Sequence, residues 1–382
     1  MEDILLRFRE ICEKRYELPK QLKLESHKKV FGYFCTYFPA ELIHAAGMLP
    51  IRILGDKRNI IYAEAHMPSF GCSFTRAALE LGLSGALGSV DGVIFSHTCD
   101  SHRVLSDVWR EIFKDQFVAN IIFPVKLNDR HSYKFLVEEL KSFKNKLEQY
   151  LGISIKKDEL WQSIQIYEKN RGLLKEVYHW RRKNPGILRG SDILNIVISS
   201  MVIPKEEHNK LLEELISDLR QNKLPQRETN GLAKVVLAGN ICAFPDIIDL
   251  IEDCNTLVVN DDLCTGSRYF SDSANQDVGI GGDPLSYIAR KYLGKSPCPI
   301  KYDSEFRREQ FLLDMVKESE ADGVIFLLLR SCDTYFFDYP LLKKTLDKEG
   351  YPSLFIEYEQ QTEAFGQMRT RVEAFAEIIS GV

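Results

Sequence analysis

The sequence predicts an α/β protein with two related doubly wound parallel-sheet domains and a helical segment between them. Two stretches carry this prediction, DGVIFSHTCDS at 91–101 and DGVIFLLLRSCDT at 322–334, because each shows an apolar strand followed by a Cys-Asp pair. A second pair, PAELIHAAGMLPIRILGD at 39–56 and PDIIDLIEDCNTLVVNDD at 245–262, aligns without a gap. Strands that alternate with helices indicate parallel sheets with right-handed crossovers.

Each repeat predicts the same order of elements. KKVFGYFCTYF and AKVVLAGNICAF open the two halves as strands that lead into loops with a cysteine, Cys35 and Cys242. Pro39 and Pro245 then stand at the first turn of a helix, which is followed by a short β-rich strand that closes on Asp. A further helix, the DGVIF strand, a cysteine and another helix complete each half.

A helical region separates the two repeats. SYKFLVEELKSFKNKLEQYL at 132–151 spaces its apolar residues as a helix does, and Asp158, Ser191 and Pro204 are plausible helix starts. The predicted parts are a first α/β domain with its N-terminal helix at 1–131, a helical connecting region at 132–228, and a second α/β domain with its C-terminal helix at 229–382.

Composition and local sequence features argue against several functional classes. The net charge of −5 over 382 residues argues against a nucleic-acid binder that works by charge neutralisation. The N-terminus lacks a signal-peptide core, and the longest apolar run, 324–329, is far too short to span a membrane, so we expect a cytoplasmic protein. None of the 9 cysteines forms a C-x-x-C pair, which argues against a disulfide framework.

Three cysteines occupy positions where ligands bind. In open parallel sheets, ligands lie beyond the carboxyl ends of the strands, and Cys99 and Cys332 follow equivalent strands there. Cys72 begins a predicted helix, whose N-terminus should lower the thiol pKa and favour the metal-ligating thiolate. Three converging thiolates suit a soft metal centre, which is either zinc or an iron–sulfur cluster.

Zinc is a competing assignment for this site, because His97 and His102 flank Cys99 and histidine is a common zinc ligand. Against zinc, no two ligands share one helix as they do in H-E-x-x-H. Nucleotide motifs are missing as well, because the residue that should be the first glycine of a P-loop before Gly-Lys-Ser is Ala289. If the system uses ATP, another chain hydrolyses it.

These segments together resemble the 2-hydroxyacyl-CoA dehydratase and benzoyl-CoA reductase family. The resemblance covers nearly the whole chain in the right order. The segments that carry it are GYFCTYFPAELIHAAGMLPIRILG, the cysteine before a helix at Cys72, DGVIFSHTCDS, DDLCTGSRYF, PCP, DGVIFLLLRSCD and GQMRTRVEAFAE. It implies two Rossmann-like domains with a helical part, in a subunit that pairs with a homologous larger subunit or with itself.

The resemblance also implies a cofactor and its ligands. In the family, three cysteines hold a 4Fe–4S cubane, and they match Cys72, Cys99 and Cys332. The fourth iron position has no cysteine ligand. A separate ATP-hydrolysing iron–sulfur activator protein delivers single electrons at very low potential.

The implied chemistry is one-electron reduction of an acyl-CoA thioester to a ketyl radical anion. From there a β-hydroxyl is expelled, or an aromatic ring is protonated and reduced. Both routes need a dry pocket and a positioned acid or base. The family's Pro-x-Glu glutamate matches Glu41, our first candidate for proton traffic, with His97 second.

Three further cysteines help to decide whether the chain is more similar to the reductases or to the dehydratases of the family. Cys35, Cys264 and Cys298 stand in motif-like places, and some relatives carry two cubanes joined by a sulfide, an 8Fe–9S double cubane that needs about six thiolates. With six thiols and 382 residues, the chain looks like the smaller catalytic subunit of ATP-dependent benzoyl-CoA reductase. An (R)-2-hydroxyacyl-CoA dehydratase subunit is the alternative; a double-cubane cluster reductase and an electron-relay subunit without its own substrate site stay open.

Overall fold

A computed structural model of the chain describes residues 3–127, 129–271, 282–302, 305, 307–361 and 365–381. The strands in these ranges are β1 (Val30–Tyr33), β2 (Leu49–Arg52), β3 (Val90–Ser96), β4 (Phe117–Ile121), β5 (Ala233–Gly239), β6 (Thr256–Asp262), β7 (Gly323–Leu329) and β8 (Ser353–Tyr358). The helices up to the second sheet are α1 (Ile4–Glu13), α2 (Leu18–Ser26), α3 (Glu41–Ala45), α4 (Ser73–Leu83), α5 (Asp100–Ile112), α6 (Arg130–Leu151), α7 (Lys157–Lys183), α8 (Gly190–Ser199) and α9 (Lys205–Arg220). Those that follow are α10 (Pro245–Glu252), α11 (Ser267–Phe270), α12 (Pro284–Leu293), α13 (Arg307–Glu318), α14 (Asp333–Lys348) and α15 (Phe365–Ser380).

Two parallel sheets with the same topology form the centre of the molecule. The strand orders are β2-β1-β3-β4 and β6-β5-β7-β8, and every pair of neighbours is parallel. The predicted α/β class with two related sheets is therefore confirmed, and the DGVIF repeats form the equivalent strands β3 and β7. Residues 323–329 are buried at every position because helices cover both faces of the sheet.

The connecting region is helical, as predicted. It contains α6 to α9, and α8 is buried along almost its whole length against α1 and α10. Just beyond α8, the carbonyl of Met201 accepts a hydrogen bond of 2.8 Å from the backbone N–H of Arg52 at the end of β2. This region thus supports the first sheet as well as the second. No helix in the described ranges is long and apolar enough to cross a membrane.

One segment of the second half packs against the first sheet. Residues of α12, among them Ile288 and Tyr292, share a hydrophobic cluster with Phe38 and other residues around the first sheet. The hydroxyl of Tyr292 donates to the carbonyl of Phe38 at 2.9 Å, and the backbone N–H of Tyr302 donates to the carbonyl of Val125 at 2.9 Å. The sequence pattern does not reveal this crossing, which brings the loop after α12 to the carboxyl end of β1.

Candidate functional site

Six of the nine cysteines line one cavity of about 260 Å³ at the carboxyl ends of strands from both sheets. They are Cys35, Cys72, Cys99, Cys264, Cys298 and Cys332. All six are free thiols, and they are the six that the sequence singles out. The remaining three, Cys12, Cys242 and Cys254, do not line this cavity and are buried.

The first trio consists of Cys72, Cys99 and Cys332, each of which is the N-cap residue of a helix. The helices are α4, α5 and α14, so three helix N-termini, each with a partial positive charge, meet at this cavity. Ser331 takes a left-handed conformation with φ of 61°, unusual outside glycine, in the turn between β7 and Cys332. This backbone geometry favours negative charge on the three sulfur atoms.

The second trio consists of Cys35, Cys264 and Cys298. Cys35 follows β1, Cys264 follows β6, and Cys298 lies in the loop after α12 that crosses to the first sheet. Burial raises the pKa of Cys298 to about 12, Arg268 opposes this rise, and charge on Cys264 or Cys35 adds to it. The three thiols therefore lie within electrostatic reach of one another.

Burial dominates the protonation of the first trio too. It raises the pKa of Cys72 to about 12 and that of Cys99 to about 11, and in both cases charge on Cys332 adds to the rise. The expectation of a low thiol pKa at the start of α4 is therefore wrong for the metal-free protein, because desolvation outweighs the helix dipole. The thiols are neutral at pH 7, and a bound cation would have to displace their protons.

Buried polar atoms around the cavity fit an anionic metal–sulfur group. Among the described residues, Nδ1 of His102 and Nδ2 of Asn240 are buried without a hydrogen-bond partner, and both residues line the cavity. Burial raises the pKa of Cys332, and the polar side chains of Thr334 and Asn240 close to its sulfur offset part of that rise. Donors that meet sulfur in this way are a recurring feature of iron–sulfur sites.

A single-ion site fits less well. Within the described ranges, no group of three or more His, Cys, Asp or Glu side chains is arranged to hold one metal ion. Structural zinc requires four ligands around one ion. In a cubane, each cysteine binds a different iron atom, so its ligands stand farther apart. The iron–sulfur cofactor that the resemblance implies stays a prediction.

Three buried cations surround the second trio, and the sequence reasoning missed them. The guanidinium of Arg268 lies 3.4 Å from Sγ of Cys264, and Nη1 of Arg52 donates to the carbonyl of Cys264 at 2.7 Å. Burial lowers the pKa of Lys301 to about 8, and nearby Cys35 and Cys298 oppose that shift. The sequence does contain a signal for two of these cations, because Arg268 and Lys301 closely follow two of the cysteines in DDLCTGSRYF and SPCPIKYD.

Glu41 does not line the six-cysteine cavity. It is the first residue of α3, only 1% exposed, with Oε1 at 2.7 Å from the guanidinium of Arg171 and Oε2 accepting from the hydroxyl of Tyr292 at 2.9 Å. Arg171 and Tyr292 border a small polar cavity, and Thr36 lines both that cavity and the larger one. Glu41 thus stands behind the thiol cavity, and its role in proton transfer stays a prediction.

His97 also lies outside the lining. Its backbone N–H donates to the carbonyl of Ile121 at 2.9 Å, and burial lowers the pKa of its ring. The histidine that does line the cavity is His102, which the sequence reasoning considered only as a zinc ligand. Burial, and then Arg52, lower the pKa of His102 to about 4, so its ring is neutral at pH 7. The catalytic role of His97 stays a prediction.

Comparison with known proteins identifies the family. A family model described as 2-hydroxyglutaryl-CoA dehydratase, D-component, matches residues 35–379. The chain belongs to this family. The match covers all six cavity cysteines, and it confirms the resemblance drawn from the sequence motifs.

Several relatives are similar over nearly their whole length. One subunit of the benzoyl-CoA reductase of Thauera aromatica is 30% identical over 96% of this chain and 97% of its own. The beta subunit of (R)-2-hydroxyglutaryl-CoA dehydratase of Acidaminococcus fermentans is 30% identical over 92% of each chain. The beta subunit of lactoyl-CoA dehydratase of Anaerotignum propionicum is 28% identical over 99% of each chain. All three names describe subunits.

Proposed function

We propose that this chain is the iron–sulfur subunit of a low-potential, radical-type enzyme that acts on acyl-CoA thioesters. The observation that carries the proposal is the convergence of six free thiols on one cavity at the carboxyl ends of both sheets. The relatives named above act on CoA thioesters by name, as reductase or dehydratase subunits. A metal–sulfur cofactor would account for six free thiols on one cavity.

The first trio would hold one 4Fe–4S cubane, and the second trio would hold another, giving an 8Fe–9S double cubane. Such a cofactor supplies single electrons at low potential. The chain's own residues provide the surroundings. Helix N-termini favour negative charge at the first trio, buried cations do so at the second, and Phe34, Phe74 and Ile300 keep the lining largely apolar.

The substrate we favour is benzoyl-CoA or a related aromatic acyl-CoA, which the enzyme would reduce with loss of aromaticity. Sequence identity does not distinguish the reductases from the dehydratases of the family, because a subunit of each is 30% identical to this chain. The second trio favours the reductase, since a single cubane would leave its three thiols without a ligand. The (R)-2-hydroxyacyl-CoA dehydratase subunit remains the alternative.

Proton traffic and partners complete the proposal. Glu41 would hold a proton or pass it toward the small cavity that its two side-chain partners, Arg171 and Tyr292, border, and His97 is the second candidate. The partners would be a homologous larger subunit or a second copy, and an ATP-hydrolysing iron–sulfur activator. If the chain were only an electron relay, acyl-CoA added to the isolated subunit would leave its EPR spectrum unchanged.

The metal content of anaerobically purified protein tests the proposal. We expect a brown chain with acid-labile sulfide and about eight iron atoms, four for each cubane. Cys298→Ser should lose about half of this iron. Cys242→Ser is the matched control, because Cys242 is fully buried but lies outside the cavity, and it should keep all of it.

The other outcomes are equally distinct. About four iron atoms in the wild type, unchanged in Cys298→Ser, would move the assignment to the dehydratase branch with one cubane. A colourless, zinc-loaded and air-stable chain would refute the iron–sulfur function altogether.

A further inference from the structure

Lys301 is a buried cation whose Nζ has backbone carbonyls as its hydrogen-bond partners. The residue is 8% exposed, and its Nζ donates to the carbonyls of Pro124 at 3.0 Å and Phe123 at 3.4 Å. The ring of Tyr37 lies 4.9 Å from Nζ. Among the described residues no carboxylate pairs with it. Its own backbone N–H donates to the carbonyl of Cys298 at 2.9 Å, which fixes it beside the second trio.

Arg52 is a second buried cation at the second trio. It is 1% exposed, and its Nε donates to the carbonyl of Phe34 at 2.7 Å. Its Nη1 donates to the carbonyl of Cys264 at 2.7 Å and contacts the sulfur of Met201 at 3.6 Å. No carboxylate in the described ranges pairs with Arg52 either. A buried charge with only neutral partners is strongly unfavourable, so both cations call for an anion nearby.

The charges around the cavity are unevenly divided. At the second trio, the charge of Arg268 is balanced by Asp262 at 2.7 Å, which leaves Lys301 and Arg52 unmatched. At the first trio, the carboxylates of the lining, Asp100 and Asp333, are exposed to solvent, and Asp100 pairs with Arg103 at 3.4 Å. The unmatched buried cations therefore stand at the second trio, whereas the first trio has the partial positive charges of three helix N-termini.

We propose that Lys301, together with Arg52, is the charge partner of the second trio and directs the first electron to the centre held there. This inference rests on the proposed function. One-electron reduction adds one negative charge to a metal–sulfur centre, and a fixed cation nearby stabilises the reduced form, which raises the reduction potential. At the first trio, the helix N-termini supply only partial positive charges to the same end. Electrons supplied to the cavity should then reduce the centre held by the second trio before they reach the centre held by the first.

Lys301→Met tests this inference, because it removes the charge and keeps most of the volume. The measurement is a potentiometric titration of the anaerobically purified full chain, followed by EPR. We expect the equilibrium constant for the first reduction to fall about tenfold or more, which is about 59 mV for one electron. Lys301→Arg should restore most of the shift. Lys126→Met is the matched control, because Lys126 lies opposite Tyr302 and its side chain is 55% exposed.

Each outcome decides the inference. An unchanged first midpoint in a fully loaded Lys301→Met chain would overturn it and leave the proposed function intact. Loss of iron in Lys301→Met that Lys301→Arg repairs would support the charge pairing, whereas equal loss in both would overturn it. A wild-type chain without iron would overturn the proposed function, and this inference with it.

Discussion

Glu41→Gln separates a structural from a catalytic use of this buried carboxylate. The change removes the charge and keeps the shape of a side chain that is 1% exposed. It weakens the 2.7 Å contact with Arg171 and the 2.9 Å hydrogen bond from Tyr292. Removing one partner of a buried ion pair costs about 3–5 kcal/mol. Arg171 keeps a second carboxylate, Glu168, at 2.8 Å, so we expect the lower end of this range, about 3 kcal/mol.

The assay is anaerobic urea unfolding, with an unchanged m-value as the check that only stability has changed. Glu206→Gln is the matched control. Glu206 pairs with His44 at 3.1 Å, but its side chain is 52% exposed, and an exposed pair contributes about 1 kcal/mol or less. A Glu41→Gln chain within about 0.5 kcal/mol of the wild type would refute the reasoning, because a surface substitution has that effect.

The same variant bears on catalysis. If the carboxylate passes a proton, the assembled enzyme should lose turnover in Glu41→Gln and keep its iron. Arg171→Gln, which disturbs the same ion pair from the other side, should then cost similar stability with a smaller loss of turnover. Equal losses of turnover in both variants would assign Glu41 to structure alone.

Two further predictions concern the scaffold. Burial lowers the pKa of His208 from 6.5 to about 3, so the unfolded chain binds a proton first as the pH falls. Stability should therefore drop by about 1.4 kcal/mol per unit below pH 6.5, and His208→Asn should flatten this dependence in urea midpoints measured at pH 7 and 5. In Gly239→Ala, the new Cβ would stand 2.0 Å from the carbonyl oxygen of Leu327, which should cost about 3 kcal/mol or more. Gly172→Ala, on an exposed helix position with free space, should instead stabilise the chain by about 1 kcal/mol; equal midpoints for the two glycine variants would contradict the steric argument.

The sequence predicted the elements whose pattern is local and repeated. The DGVIF strands, the helix opening at Pro245 and the helical connecting region lie where their patterns indicated, apart from shifts of about one residue at helix starts. The opening at Pro39 was wrong, because α3 begins at Glu41 and Pro39 lies before its N-cap residue. The cysteines were found because parallel strands deliver their carboxyl ends to one edge. That rule needs only the strand assignment, so it holds before any packing is known.

What could not be predicted depends on contacts between distant segments. The crossing of α12 onto the first sheet places Lys301 and Cys298 at the cavity, and no local pattern encodes it. The raised pKa of Cys72 follows from burial, which a helix-start motif does not report. Glu41 was assigned by its motif, but the distance that separates it from the cavity depends on how α3 and α7 pack.

The duplicated plan also explains why the cavity is asymmetric. Cys99 and Cys332 are related by the repeat and both line the cavity, whereas Cys35 lines it and its counterpart Cys242 does not. The backbone of Cys242 is bonded to Thr265, whose hydroxyl donates to the carbonyl of Cys242 at 2.5 Å and accepts from its N–H at 3.2 Å. The second half thus uses this loop to anchor the segment after β6 that carries Cys264 rather than to present a thiol. A repeat in which each copy keeps the strand ends but changes the loops would produce this pattern. Some thiols then occur in both halves, and others occur in one half only. The second trio and its cations therefore belong to the part of the site that the two halves do not share.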